Sequence, residues 1–361
     1  MEKKLIEKTE SYEVYDIDGK VKSFRSENFN YDFRYSDGVM LSWGKTFDED
    51  PIEAPAPNLL DIEITTICRG NCKFCYKANT MNGKNMTLDT FKHILDIYPK
   101  SLTQIAIGAD YDLSTNPWLF DMMDYARSKN IIPNITAGFI SDEKADELAK
   151  RVGAVAVSCY DIDKCADSVK RMTDRGILQT NIHYMIAEET YWRAFELIDA
   201  IKKDARFSKL NALVFLSLKT KGRAESGFTP LSQEKFNNLV KYAIDNKVRV
   251  GFDSCSSLKA YRAFDALGMS EVQNMIIPCE ASTESSYINV DGKYYPCSFC
   301  EGENNNGLDW TDGIDVTQCK TTEEFLEKVW NNERTKAFKA CLGNTCNNNP
   351  EGCKNCPMFK V

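Results

Sequence analysis

The sequence predicts an α/β chain: a partial (β/α)6 TIM-like barrel followed by a small Cys-rich C-terminal domain. Three observations carry this reading. Strand-like and helix-like runs alternate six times between 58 and about 255. From Cys279 the texture changes to Cys, Gly, Asn and turns, and eight of the 14 cysteines fall between 279 and 356. The chain of 361 residues, 43% hydrophobic and 27% charged, is long enough to fold as one large domain plus a smaller one.

Residues 1–57 read as a strand-rich extension and linker. Tyr12, Tyr15, Phe24, Phe29, Tyr31, Phe33 and Tyr35 punctuate them, and Asp18-Gly19 and Asp37-Gly38 supply hairpin-type turns. The linker runs from 48 to 57, acidic and broken by Pro51, Pro55 and Pro57. Residues 58–277 read as the barrel. Its strand-like runs are 59–66, 104–108, 132–138, 154–160, 180–186 and 213–218. The helix-like runs are 87–97, 117–129, 142–151, 163–174, 190–203 and 232–245. Asn116-Pro117 offers a cap and a first-position Pro for the second helix, and Ser141 and Ser232 cap the third and sixth. Alternation of this kind gives a parallel sheet with helices outside, and six units are too few for a closed eight-fold barrel. A further strand ends at Cys255, and 256–277 reads as helix. Residues 278–361 form the Cys-rich domain, with a hairpin around 287–295, one helix near 322–338 and little apolar core of its own.

Several function classes are disfavoured. Net charge is −8, against a broad nucleic-acid surface. The start, Met1-Glu2-Lys3-Lys4-Leu5-Ile6-Glu7-Lys8, has no apolar h-region, and no stretch approaches ~18 uninterrupted apolar residues. Neither a signal peptide nor a membrane partner is expected, and a cytoplasmic location is. In a large chain without a signal, clustered cysteines read as metal ligands rather than disulfides. Only His93 and His183 are available for a His-based site.

The sharpest motif is Cys68-Arg69-Gly70-Asn71-Cys72-Lys73-Phe74-Cys75, spaced C-x3-C-x2-C just after the first barrel strand. Three thiolates are one too few for a structural zinc or an ordinary cubane. A trio on a short loop holds a 4Fe–4S cluster by three corners and leaves one iron open. Gly70 and Asn71 allow the tight loop. Active sites of barrels lie at the C-terminal ends of their strands, where the trio falls. A zinc or redox-inert cluster with a ligand from elsewhere is the alternative.

This spacing resembles the radical S-adenosylmethionine (SAM) superfamily, over roughly residues 58–356. The resemblance implies a partial barrel, a SAM-binding 4Fe–4S cluster on Cys68, Cys72 and Cys75, and reductive cleavage of SAM to a 5′-deoxyadenosyl radical that takes a hydrogen atom from substrate. Phe74 matches the position beside the adenine. Gly108-Ala109-Asp110 stands where family members carry Gly-Gly-Glu facing the methionine moiety, with Ala and Asp as departures. Asp110 is thereby a cofactor-binding and catalytic candidate. Ser158 is a candidate ribose or carboxylate contact, and Lys219-Thr220-Lys221-Gly222-Arg223 resembles the family's Gly-Arg segment. His183, inside the fifth strand, reads first as a core residue.

The pattern Cys279-x12-Gly292-x4-Cys297 is similar to the opening of SPASM and twitch extensions. This implies one or two auxiliary clusters drawing on Cys279, Cys297, Cys300, Cys319, Cys341, Cys346, Cys353 and Cys356. The tail spacing departs from the usual SPASM pattern, so ligand pairing stays open, and a zinc ribbon on the last four cysteines is the alternative. Cys255, or Cys159, is a candidate cavity thiol donating a hydrogen atom, weighed against a small buried hydrophobe. Ser298 stands where sulfatase-maturing members carry an Asp base, against that activity. The expected substrate is a peptide or protein side chain, with a nucleoside or small metabolite second and a non-catalytic electron carrier third. A flavodoxin or ferredoxin is the expected electron donor. The first 57 residues are expected to cap the barrel bottom or to offer substrate an edge strand or lid.

Overall fold

The N-terminal extension is an antiparallel meander in which each strand pairs with the next: β1 (Lys3–Lys8), β2 (Tyr12–Ile17), β3 (Val21–Ser26), β4 (Asn30–Arg34) and β5 (Met40–Trp43). The structure is a computed structural model describing residues 2–51, 53–273, 275–346 and 356–359, the side chains of 343–346 excepted. Alternation puts Tyr12, Val14, Phe24, Tyr31 and Phe33 on one buried face. The Phe24 ring stacks between Tyr12 and Tyr31 at 5.0 and 5.1 Å. Asp18 and Gly19 both adopt positive φ, as the tight turn between β2 and β3 requires.

This sheet seals the bottom of the barrel. The Tyr31 hydroxyl donates to the Ser101 carbonyl, and Lys22 Nζ to the Leu102 carbonyl. The Lys100 amide donates to Glu7 at 3.0 Å. Residues 100–102 lie just before a barrel strand, at its N-terminal end, so the extension packs on the end of the barrel opposite the C-terminal mouth. Lys22 is buried, and burial, with Lys100 beside it, pushes its pKa down to about 7.

The barrel follows the expected alternation: β6 (Leu59–Glu63), α1 (Leu88–Ile97), β7 (Gln104–Gly108), α2 (Leu119–Ser128), β8 (Ile132–Ala137), α3 (Asp142–Ala149), β9 (Ala154–Ser158), α4 (Ile162–Asp174), β10 (Gln179–Ile186), α5 (Tyr191–Lys203), β11 (Ala212–Ser217) and α6 (Gln233–Asp245). Ser141 and Ser232 cap their helices as read. Helix α2 starts later than Asn116-Pro117 suggested. Asn116 instead accepts from the Trp118 amide at 2.9 Å and donates to the Ile64 and Met86 carbonyls. A seventh parallel strand, β12 (Val250–Phe252), stops short of Cys255, which lies in the next turn, before α7 (Ser257–Ala266).

In β10, Ile182, Tyr184 and Ile186 are buried with the apolar faces of the helices, while Asn181, His183 and Met185 alternate onto the concave side. Burial pushes His183 down to about 4, so its imidazole is neutral.

The Cys-rich segment continues the barrel's sheet. Strand β13 (Ser285–Ile288) pairs parallel with β6, and β14 (Lys293–Tyr295) follows antiparallel. Strands β15 (Glu303–Asn305) and β16 (Leu308–Trp310) make a separate hairpin, and β17 (Ile314–Asp315) completes the order β12-β11-β10-β9-β8-β7-β6-β13-β14-β17. Tyr294, Trp310, Phe325, Val329 and Trp330 are buried in the same apolar cluster as the barrel core. The tail has little core of its own, as its composition suggests: its large apolar residues are scattered between turns and converge on the barrel edge. Among the described residues no helix is long and apolar enough to cross a membrane.

Candidate functional site

The trio loop leaves β6 at the C-terminal mouth and is stitched together by its own backbone. The Cys68 amide donates to Thr80 O at 2.9 Å, Cys75 N to Cys72 O at 3.2 Å, and Gly70 N to Cys68 Sγ at 3.3 Å. Asn71 and Ala78 take positive φ, which sets the tight path. All three cysteines are partly exposed.

A second loop, 219–223 after β11, grips the first. The Arg223 amide donates to Cys75 O at 3.0 Å, its Nε to Cys72 O at 2.8 Å and its Nη1 to Asn79 O at 3.0 Å. Gly222 is required here: it has φ +60°, and a Cβ would lie 2.4 Å from Tyr76 O. The resemblance left this segment either to meet substrate or to form a basic rim; the structure makes Arg223 a clamp on the cysteine loop. Lys221 reaches the other way, to Phe299 O at 3.0 Å, Glu301 O and the Glu303 carboxylate at 2.9 Å.

Aromatic rings wall the mouth. Phe74 stacks on Tyr160 at 5.7 Å and meets Phe228 edge-on at 5.7 Å, while Tyr111 lies 5.8 Å from Tyr160. The Tyr160 hydroxyl meets both the Cys72 thiol and Ser158. Phe74 and Ser158 are thus brought to one place by way of Tyr160, which the sequence reading had quoted only as a strand end.

Gly108 is exposed at the end of β7, and Ala109 is half-buried. Asp110 is 3% exposed, and its carboxylate accepts from the Ser114 amide at 3.0 Å and the Thr115 amide at 3.3 Å. Burial pushes its pKa up. Thr115 Oγ1 in turn donates to Ile67 O at 3.2 Å. The carboxylate is engaged within its own loop, whose Thr115 reaches the root of the trio loop. Cys159 takes the place of a small buried hydrophobe: it is buried in the core, and its thiol meets Cys165.

The second group of thiols gathers at the seam of the sheet. Cys297 and Cys300 lie 3.5 Å apart, Sγ to Sγ. The Cys300 contact holds the Cys297 thiol down, at about 7. Burial pushes the Cys279 thiol up and the Cys255 thiol up to about 12, and Cys297 and Cys356 are near enough to both to add to it. Cys255 follows β12 and Cys279 precedes β13, near opposite ends of the strand order, so coiling of the sheet brings them together. Cys319 is buried apart from this group, and the charges acting on it are those of Lys328, Glu324 and Asp315. Cys341 is exposed. The side chain of Cys346, and Cys353 altogether, lie outside the described residues. Among the described residues, no three His, Cys, Asp or Glu side chains converge as a single metal ion requires. Thiolates on a cubane bind separate irons at separate corners, so they need not converge.

A buried charge network joins the two thiol loops. Lys77 pairs with Glu63 at 3.2 Å and with Glu301, and donates to the Tyr287 hydroxyl at 2.8 Å. Asn289 donates to Glu301 at 2.7 Å. The Tyr76 ring lies 4.2 Å from that of Phe299, and its hydroxyl meets Ser298. No pattern in the sequence signals this network, because its members come from three distant segments.

Residues 279–357 match the SPASM family, an iron–sulfur cluster-binding domain. Among solved structures, SuiB of Streptococcus suis bound to its precursor peptide SuiA superposes with a TM-score of 0.61 at 15% identity. The match covers 80% of this chain and 68% of that one. The chain has the fold of SuiB, and its C-terminal part is a SPASM domain. SuiB bound to S-adenosylmethionine gives a TM-score of 0.59 at 16% identity, with the same coverage. No curated protein matches the sequence. Within this fold the trio loop occupies the mouth, and the second thiol group belongs to the SPASM part, with Cys255 of the barrel beside it. These donors fit iron–sulfur clusters: each group is thiol-only, and the first leaves a coordination position for a ligand.

Proposed function

We propose that this protein is a radical SAM enzyme that modifies a peptide or protein side chain. One observation carries the reading: a three-cysteine loop, clamped by Arg223 and walled by Phe74 and Tyr160, opens at the C-terminal mouth of a partial barrel beside a separate SPASM thiol group. Cys68, Cys72 and Cys75 would hold the SAM-binding cluster. When bound, that cluster supplies one electron to the SAM sulfonium, whose cleavage gives methionine and a 5′-deoxyadenosyl radical that takes hydrogen from substrate. Phe74 offers a face for the adenine, and Ser158 a hydroxyl for the ribose or the carboxylate. Gly108 and Ala109 leave room beside the mouth, and Asp110 braces the loop.

For the auxiliary centre we assign Cys279, Cys297, Cys300 and Cys356 as ligands, since their thiols gather together. Cys319, Cys341, Cys346 and Cys353 remain as a second set of four. Four thiolates close a cubane, which suits electron relay or scaffolding rather than SAM binding. The peptide substrate is supported by the likeness to SuiB, whose structure holds a precursor peptide. A flavodoxin- or ferredoxin-like donor in a reducing cytoplasm suits exposed thiolate sites.

Anaerobic reconstitution with iron and sulfide, followed by SAM and dithionite, is expected to yield 5′-deoxyadenosine and methionine. A fully loaded protein that leaves SAM intact would show an electron carrier instead. Turnover of nucleosides but not of peptides encoded beside the gene would redirect the substrate.

A further inference from the structure

We propose that Lys219 sets the reduction potential of the auxiliary cluster, presenting a buried cation from the barrel to the thiolates of the SPASM domain. The inference rests on the auxiliary-cluster reading given above. Lys219 follows β11, and its side chain is only 4% exposed. Its Nζ pairs with Asp253 at 2.6 Å, lies beside the Cys255 thiol, and sits 4.6 Å from the centre of the Phe299 ring, between Cys297 and Cys300 in sequence. Asp253 is fixed in turn, accepting from the Ser217 amide at 3.3 Å and from the Ser256 hydroxyl.

Lys221 is engaged by the carbonyls of Phe299 and Glu301 and by Glu303, so it holds the loop. Lys219 instead lies over the ring of Phe299, the residue next to Cys300 and two from Cys297, so its charge is buried against the loop that carries both thiols. Burial alone would lower its own pKa, but Asp253 and Cys255 outweigh that and keep it charged.

The physical consequence follows from charge. A cubane with four thiolates is already anionic, and reduction adds one electron to it. A fixed cation in a poorly screened interior stabilises the reduced form more than the oxidised one. Asp253 opposes it, so removing either partner should move the potential in opposite directions.

The test uses the chain with Cys68, Cys72 and Cys75 all changed to Ala, in which auxiliary iron is the only cluster iron. An EPR-monitored reductive titration reads its potential. Lys219→Met is expected to lower the reduced-to-oxidised ratio at fixed potential ~10-fold, which is ~59 mV for one electron. Asp253→Asn is expected to raise the ratio, and Lys219→Arg to stay near the parent. A purely structural role would move Lys219→Met and Asp253→Asn the same way or lose iron in both. Full iron content with an unchanged potential in Lys219→Met and Asp253→Asn overturns the inference alone. Absence of auxiliary iron from the parent overturns the cluster reading, and the inference with it.

Discussion

Cys68, Cys72 and Cys75 come from one loop, and the cation beside them, Arg223, binds carbonyl oxygens of that loop. Cys279, Cys297, Cys300, Cys356 and Cys255 come from segments scattered between β12 and the tail, and the cation beside them, Lys219, meets a thiol. The first site is built by local spacing and then immobilised. The second is built by tertiary convergence, and its charge environment is supplied from another part of the chain. A loop with three ligands keeps one position for a substrate-like cofactor, whereas a group with four or more thiols can close.

The most severe way to break this comparison is to remove the trio. Changing Cys68, Cys72 and Cys75 to Ala is expected to abolish 5′-deoxyadenosine formation while auxiliary iron persists, about four irons for one cluster and about eight for two. Loss of all iron would show that the two sites do not form independently. Cys297→Ser is the converse: about four irons lost, with SAM binding at the trio retained in equilibrium dialysis.

Next in size is the clamp. Arg223→Ala removes charge-assisted hydrogen bonds to two carbonyls, each worth ~1.5–3 kcal/mol. Cleavage of SAM should fall at least ~10-fold, with iron lost from the trio and not from the auxiliary group. Equal loss from both would mean that the 219–223 loop supports the whole mouth. Phe74→Ala is milder, since an aromatic contact contributes ~0.5–1.5 kcal/mol. The Kd for SAM should rise several-fold by calorimetry, with iron content unchanged.

The effect with the least bearing on either site lies farthest from both. Lys22 is depressed to about 7 in the fold, against 10.5 for an ordinary lysine. Above pH 10.5 it is neutral in both states. As pH falls from 10.5 towards 7, the unfolded chain takes up the proton first, so stability declines, and it levels off below 7. Lys22→Met should flatten that slope in denaturant melts. An unchanged slope would show that Lys22 keeps its charge under the barrel.

Much of the fold was legible because period-2 and period-3.6 patterns are local. The six strand–helix units, the Ser141 and Ser232 caps and the Asp18-Gly19 turn all follow from nearest neighbours along the chain. The same locality made the trio readable. Where a local pattern misled, a non-local contact decided: Asn116 reads as a helix cap, yet its side chain is taken up by carbonyls of two other segments, Ile64 and Met86.

The sequence by itself determined that three thiolates stand on a loop after a barrel strand, and that many more follow in the tail. Only the tertiary structure decided which of those later thiols meet, that Cys255 joins them, and that Lys219 is the cation they face. The reason is geometric. Spacing within eight residues is set by one loop's backbone, whereas the distance from β12 to β13 is set by how far the whole sheet coils, which no local pattern records.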